Sequence, residues 1–398
     1  MKKMLLASAA TLALAGAASA EDVKLGVLIG FTGPIESLTS HMAAAAEMAM
    51  AEVNASGKAA NTYASVRGDS TCTDAAAATA AAERMITAEG VKGIIGADCS
   101  GVTAAVLQNV ARPNGMVMIS PSATSPALST AEDDGLFFRT APSDAREGEI
   151  MADILLEKGI KTIAMTYSNS DFGKGQAEAI AASYTAKGGT ISINIPHEDG
   201  KADYSAEVAS LAAAGGEVLV VAGYVDQGGK GIIQASLDSG AFSVFGLPGG
   251  MVSDTLPAAI GPALDGSFGQ VAQSDSPGAA VLTEMGKTNS TPFDATSPYA
   301  MESYDAAALI MLAMEATKST DPKVYSAKIM EIANGPADGS GTKIQPGELG
   351  KALELIAAGT AIDYDGASGV TLVGAGESAG RYKQFEVKGG KFETVTFR

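Results

Sequence analysis

Two short stretches carry residue types suited to holding a small anion. Asp98-Cys99-Ser100-Gly101 follows an apolar run, Gly93–Ala97, and Pro121-Ser122-Ala123-Thr124 follows a second, Met116–Ser120. Between them, Val102 to about Arg112 has a helical pattern that ends before Pro113. The unit reads strand–helix–strand, and in a parallel sheet its two hydroxyl-bearing ends lie side by side. Ser100 stands where a helix begins, with free backbone N–H groups and a favourable dipole. Such a place takes a carboxylate or a phosphate. Ligands of open α/β sheets also gather at the carboxyl ends of strands. The same residues serve as well as an ordinary helix cap and turn, so the local pattern leaves both readings open.

These loops need a scaffold, and the chain supplies a regular one. Val23–Gly30 and Tyr63–Arg67 read as strands, with helices at about Ser40–Asn54 and from Thr73-Asp74 to about Thr87. The βαβαβαβ order argues for a parallel, doubly wound sheet. Leu136–Thr140 is a short strand, and Ala141-Pro142-Ser143-Asp144 a crossover into a second lobe. There the rhythm restarts. Strands at Thr162–Tyr167, Thr190–Ile195, Glu217–Gly223 and Ser243–Leu247 alternate with helices at Ala145–Glu157, Lys174–Lys187, Tyr204–Ala214 and Gln227–Ser239. Gly266–Gln273 leads back to the first lobe. Pro277–Lys287, Tyr299–Lys318, Pro322–Asn334 and Gly347–Ala358 read as helices, and the Gly-rich Asn334–Pro346 as a loop. Tyr382–Val387 and Phe392–Phe397 close the chain as a hairpin.

The N-terminus reads as an export signal. Lys2 and Lys3 precede the apolar Met4–Gly16, and Ala18-Ser19-Ala20 is an A-x-A site that places cleavage after Ala20. The apolar part is too short to span a bilayer. The best later stretch, Ala306–Met314, is bounded by Asp305 and Glu315. A periplasmic, secreted protein without membrane insertion is therefore expected. With 45 acidic and 27 basic residues, the 398-residue chain carries a net charge of −18, which argues against nucleic acid as a partner. Its length exceeds what one core usually serves, which favours two lobes. In an exported protein the two cysteines, Cys72 and Cys99, read by default as a disulfide closing a loop of roughly 26 residues, with a catalytic thiol as the alternative.

Signatures of catalysis are missing. Gly376-Glu377-Ser378-Ala379-Gly380 fits G-x-S-x-G in letters, but a nucleophile elbow leads into a helix and this string leads into the strand Tyr382–Val387. Gly286-Lys287-Thr288 ends like a phosphate-binding loop, but its first glycine is replaced by Val281. The two histidines, His41 and His197, stand far apart and lack metal-ligand spacing. No acid pair stands out as a general acid and base. The expectation is a binding protein, not an enzyme, with no cofactor and no metal.

Beyond the signal, the chain resembles the periplasmic binding proteins of branched-chain amino acid ABC transporters, the leucine/isoleucine/valine type. The similar stretches are Gly26–Pro34, Glu52-Val53-Asn54, Cys72 with Cys99-Ser100, Ile119–Pro126, Phe138–Pro142, Asp171–Gly175, Ser303–Ala306 and Tyr364–Gly369. The resemblance implies an α/β fold of two Rossmann-like lobes, the type I periplasmic binding protein fold, joined by a three-strand hinge. Residues 21–140 and 275–378 would form one lobe, and 141–274 and 379–398 the other. The lobes would close on an amino acid or a related small carboxylate and present it, as a monomer, to a membrane permease.

The resemblance also assigns residues. Ser100, Ala123 and Thr124 match the group that grips the ligand carboxylate. Cys72–Cys99 matches the family's disulfide, and Tyr224 matches an aromatic of the other lobe. The acid that meets the ligand's ammonium falls at Gly249, within Pro248-Gly249-Gly250, and a position where some relatives have an aromatic is Leu38. A buried ammonium without a carboxylate is unfavourable. Either another acid compensates, with Asp171, Asp226 and Glu302 as candidates, or the ligand lacks an ammonium. The alternative is an amide, urea or aromatic-acid binding protein, or a sensor, on the same fold.

Overall fold

The computed structural model describes residues 21–398; the segment Met1–Ala20, read from sequence as an export signal cleaved after Ala20, lies outside the described residues. Two seven-stranded sheets carry the fold. The first begins with β1 (Glu21–Ile29), β2 (Asn61–Asp69), β3 (Ile94–Gly96), β4 (Met118–Ser120) and β5 (Phe137–Pro142). The second begins with β6 (Thr162–Ser168), β7 (Thr190–His197), β8 (Val218–Ala222), β9 (Phe245–Leu247) and β10 (Phe268–Ala272). The parallel strands run β2-β1-β3-β4-β5 and β7-β6-β8-β9-β10, the same order twice. Strands in the interior of these sheets are buried throughout, which is why they read as short apolar runs without alternation.

The C-terminal third completes both sheets. A small parallel pair, β11 (Thr342–Ile344) and β12 (Ile362–Tyr364), stands apart. β13 (Leu372–Val373) and β14 (Glu377–Ser378) extend the first sheet beside β5. The hairpin β15 (Tyr382–Lys388) and β16 (Lys391–Phe397) joins the second sheet antiparallel to β10. The chain thus passes between sheets after β5, after β10 and after β14. These crossings are tied together: Gln273 N–H donates to the Arg381 carbonyl at 3.1 Å, and the Tyr382 hydroxyl to the Ser143 carbonyl at 3.4 Å.

The sequence pattern missed several features, among them the helix Thr255–Ile260. The first helix spans Glu36–Ser56, starting a turn earlier than its apolar pattern suggests. The Gly-rich stretch read as a loop contains β11, whose partner β12 is remote in sequence. β13 and β14 are two residues each, too short for any periodicity.

The apolar Ala306–Met314 is the core of a helix, Ala300–Thr317, buried on every side through Met314. It packs on the helix Glu36–Ser56. Asp305 enters that core because four donors meet it: the N–H groups of Ala367 and Ser368 at 2.8 Å, the Tyr364 hydroxyl at 2.8 Å and the Ser368 hydroxyl at 2.6 Å. Gly366 sits at φ 63°, and a Cβ there would lie 2.4 Å from Asp305 Oδ1, so the turn requires glycine. Glu52 accepts from the Tyr304 hydroxyl and from the N–H groups of Gly347 and Leu349. Several of the sequence stretches quoted above therefore build the scaffold. No helix among the described residues is long and apolar enough to cross a membrane.

Candidate ligand-binding site

In each lobe the strand order reverses beside its first strand: β1 lies between β2 and β3, and β6 between β7 and β8. Crevices open at such switch points, at the carboxyl ends of the strands. Here the two switch points face each other. Ile35 and Leu38 follow β1, Asp98, Cys99 and Ser100 follow β3, and Ser122 follows β4; opposite them Phe172, Tyr224 and Gly250 follow β6, β8 and β9. With Tyr299 they enclose a cavity of ≈ 20 Å³. That volume holds about one water.

Ser100 is the first residue of its helix, and the N-cap is Cys99, which makes no side-chain cap bond. Its Oγ does not cap; it accepts the Ser125 N–H at 3.1 Å, leaving its own proton to donate. Thr124 Oγ1 is buried without a partner. Ala123 gives its N–H to Ser120 Oγ at 3.0 Å, and its carbonyl receives Arg139 at 3.1 Å, so both its backbone groups already have partners. The Cys72–Cys99 disulfide, with Cα atoms 5.1 Å apart, fastens the residue before Ser100 to the loop after β2. Asp98, beside it, accepts from Gly30 N–H at 2.7 Å and Ser70 Oγ at 2.5 Å; burial pushes its carboxyl up.

The opposite wall is aromatic. Tyr224 is buried and stacks on Phe172 with ring centroids 5.0 Å apart. Tyr299 stands at φ 64° just before the helix Ala300–Thr317, a left-handed conformation unfavourable for a bulky residue. Its carbonyl accepts the Ser303 N–H and hydroxyl, which helps to hold it there. Such strained residues concentrate at ligand sites.

The three acids nominated to replace a carboxylate at 249 do not line the cavity. Asp171 is exposed in a neighbouring groove that Ser100, Ser125, Lys174 and Glu149 also line. Asp226 lies at the rim, where Oδ2 accepts from Ser37 Oγ at 2.6 Å and Oδ1 from Thr255 Oγ1 at 3.0 Å. Glu302 is buried in its helix, where desolvation pushes its carboxyl up to about 8. The acid that meets Gly249 is Glu147: the Gly249 N–H donates to its Oε1 at 2.7 Å, and Gln176 Nε2 to its Oε2 at 2.8 Å. Asp144, one turn earlier on the helix Asp144–Glu157, is fully buried, and neither of its oxygens has a partner. Burial and the neighbouring Glu147 push Asp144 well up; burial raises Glu147.

Phe172, Tyr299, Asp98, Asp144 and Glu147 are absent from the residues nominated from sequence. Phe172 adjoins Asp171 in a stretch already singled out, and only its apolar character could have favoured it. Asp144 and Glu147 are spaced to share a helix face, but acids in a first turn are ordinary partners of the helix dipole. Among the described residues no cluster of His, Cys, Asp and Glu could hold a metal ion.

Residues 22–335 match the family described as periplasmic binding protein. A Leu/Ile/Val-binding protein homolog of Brucella melitensis is 29% identical over 330 residues, covering 82% of this chain and 87% of that one. Among solved structures, the branched-chain amino acid transporter substrate binding protein LivJ of Streptococcus pneumoniae, in complex with isoleucine, has a TM-score of 0.76 at 19% identity, covering 94% of this chain and 99% of its own. A solute binding protein of an ABC transporter from R. palustris, in complex with 4-hydroxybenzoate, has a TM-score of 0.75 at 19% identity, with coverages of 95% and 97%. At that identity the structural likeness speaks to the fold: two doubly wound lobes of the type I periplasmic binding protein kind. From the matched span and this fold, the chain belongs to the periplasmic binding protein family.

Proposed function

We propose that this protein is an exported solute-binding protein of an ABC importer that closes its lobes on an α-amino acid of the branched-chain type. One observation carries the reading: an uncapped helix start bearing Ser100, with the unpartnered Thr124 hydroxyl buried behind it, faces an apolar and aromatic wall across a small interlobe cavity. The donors suit a carboxylate. Leu38, Ile35 and Phe172 suit an aliphatic side chain. The names of the relatives point the same way.

Residues 21–140 with 275–378, and 141–274 with 379–398, would move as two bodies about the three crossings. The protein would act by binding and closure, without making or breaking a bond. Its closed face would be read by a membrane permease in the periplasm, with the protein a monomer. A second reading, an aromatic acid, draws on the Phe172–Tyr224 stack and on the R. palustris neighbour's ligand. Calorimetric titration of the purified protein separates them. Leucine, isoleucine or valine should bind and benzoate should not; the reverse result would replace the first reading with the second.

A further inference from the structure

Behind the cavity wall lies a buried cluster of hydrogen-bond acceptors with too few donors. Asp144 Oδ1 and Oδ2, Gln176 Oε1 and Gln270 Oε1 are buried acceptors without partners, and the Thr124 hydroxyl is the one uncommitted donor beside Asp144. Glu147 is held beside them by Gly249, Gln176 and Gln270. A Cβ on Gly249 would lie 3.2 Å from Glu147 Oε1 and 3.1 Å from the Tyr299 hydroxyl. Tyr299 and Gly250 line the cavity, so the cluster lies one residue behind its wall and is reached when that wall parts. Helical spacing puts Asp144 and Glu147 on one face, and the Asp144 N–H is anchored to the Thr124 carbonyl at 2.8 Å. Thr124 therefore joins the carboxylate-binding loop to the acid pair.

Among the described residues no cation forms an ion pair with either acid. Arg139 is the nearby positive charge, and its guanidinium is spent on the carbonyls of Ala123 and Ser125, on Ser129 and on Glu377. The other titratable groups facing the pair are neutral or acidic: Tyr224, Tyr299 and Tyr382, with Glu302 beyond Tyr299. Two desolvated carboxyls side by side are stable only if they share a proton or receive a cation.

We propose that Asp144 and Glu147, on the first turn after the β5 crossing, form the subsite for a ligand ammonium, taking the place of a carboxylate at Gly249. The inference rests on the amino-acid reading above and sharpens it: the solute must be a zwitterion whose ammonium lies on the Thr124 side of its carboxylate. Without ligand the pair holds a proton between its two carboxyls. Arrival of the ammonium supplies the missing donors and expels that proton to solvent. Because the helix Asp144–Glu157 begins at a crossing, the ammonium also couples binding to lobe closure.

The test compares leucine with 4-methylpentanoate, which lacks only the ammonium. In Asp144→Asn and in Glu147→Gln the Kd for leucine should rise by about tenfold to a hundredfold, as loss of charge-assisted bonds predicts. The Kd for 4-methylpentanoate should stay the same or fall. Variants that keep leucine affinity within threefold would overturn the assignment while leaving the amino-acid reading intact. Wild-type protein that binds 4-methylpentanoate or benzoate and no amino acid would overturn both. Should the variants fail to fold, calorimetry of wild-type protein in buffers of different ionisation enthalpy decides. Leucine binding near pH 7 should release up to one proton, and binding without proton release would overturn the assignment.

Discussion

The Gly249 backbone N–H donates to Glu147 Oε1 across 2.7 Å, and a Cβ at 249 would point at that same oxygen from 3.2 Å. The space a side chain at 249 would use is already lined by a carboxylate from another helix. Gly249→Asp adds a third acid to a buried pair and should lower the melting temperature. A loss of ~1 kcal/mol corresponds to roughly 2–4 °C in a domain of about 200 residues. Combining it with Glu147→Gln should restore part of the loss. Differential scanning calorimetry reads both, and additive losses in the double variant would show that the two sites do not share one space.

On the proposed function, Ser100→Ala and Thr124→Ala would each remove a donor to the ligand carboxylate. Charge-assisted bonds of this kind contribute about 1.5–3 kcal/mol, so each change should raise Kd by roughly ten- to a hundredfold. Isothermal titration checks this. Unchanged affinity in the double variant would remove this loop pair from the site.

The disulfide should brace the Ser100 loop. Reduction frees a loop of roughly 26 residues, worth on the order of 3 kcal/mol in the chain-entropy model. The melting temperature should fall on reduction, and thiol titration of the native protein should find none. Two reactive thiols in native protein would contradict the Cys72–Cys99 pair.

Stability should fall as pH rises from about 5 to 8. Burial holds the Glu302 carboxyl at about 8 against an ordinary 4.5. The folded protein therefore carries an extra proton in that window, and its stability declines as the pH rises through it. The raised Asp144–Glu147 pair adds to the same slope. On the acid side, burial lowers His197 to about 4 against 6.5, so its contribution is lost as pH falls through that range. Denaturation midpoints between pH 4 and 9 should show Glu302→Gln with a shallower alkaline decline. An unaltered slope would show that Glu302 does not carry it.

Ser37 and Asp226 join the lobes at the rim, with Ser37 Oγ 2.6 Å from Asp226 Oδ2 and 3.2 Å from Ser253 Oγ. The contact is half-exposed, so its contribution is about 1 kcal/mol. Asp226→Ala should favour parted lobes and weaken binding about fivefold. A larger radius of gyration without ligand, measured by X-ray scattering, should accompany it. An unchanged radius and affinity would mean that the contact does not bias closure.

The parts of this molecule that could be read from sequence are those set by local rules. Gly93–Ala97 and Met116–Ser120 are apolar runs cut off by turn residues, so the strand ends bearing Ser100 and Thr124 were visible. Tyr224 was visible because it ends the run Val218–Ala222. Glu147 was not, because nothing local distinguishes a buried first-turn acid from a solvated one; its burial follows from Gln176, Gly249 and Gln270, all remote in sequence. Tyr299 reads as a plain helix start, and its left-handed backbone is fixed by packing. β11 escaped notice because its partner lies across a helix in the chain.

The proposed ligand is a small α-amino acid held between the two lobes. The most direct measurement is a thermal-shift titration of the purified protein with leucine, isoleucine and valine, set against 4-methylpentanoate and benzoate. A ligand at a hundredfold its Kd stabilises by about 2.7 kcal/mol, which is readily seen. The account predicts a shift with at least one of the three amino acids and little or none with the acids lacking an ammonium. A shift with benzoate or 4-methylpentanoate and none with any amino acid would contradict it.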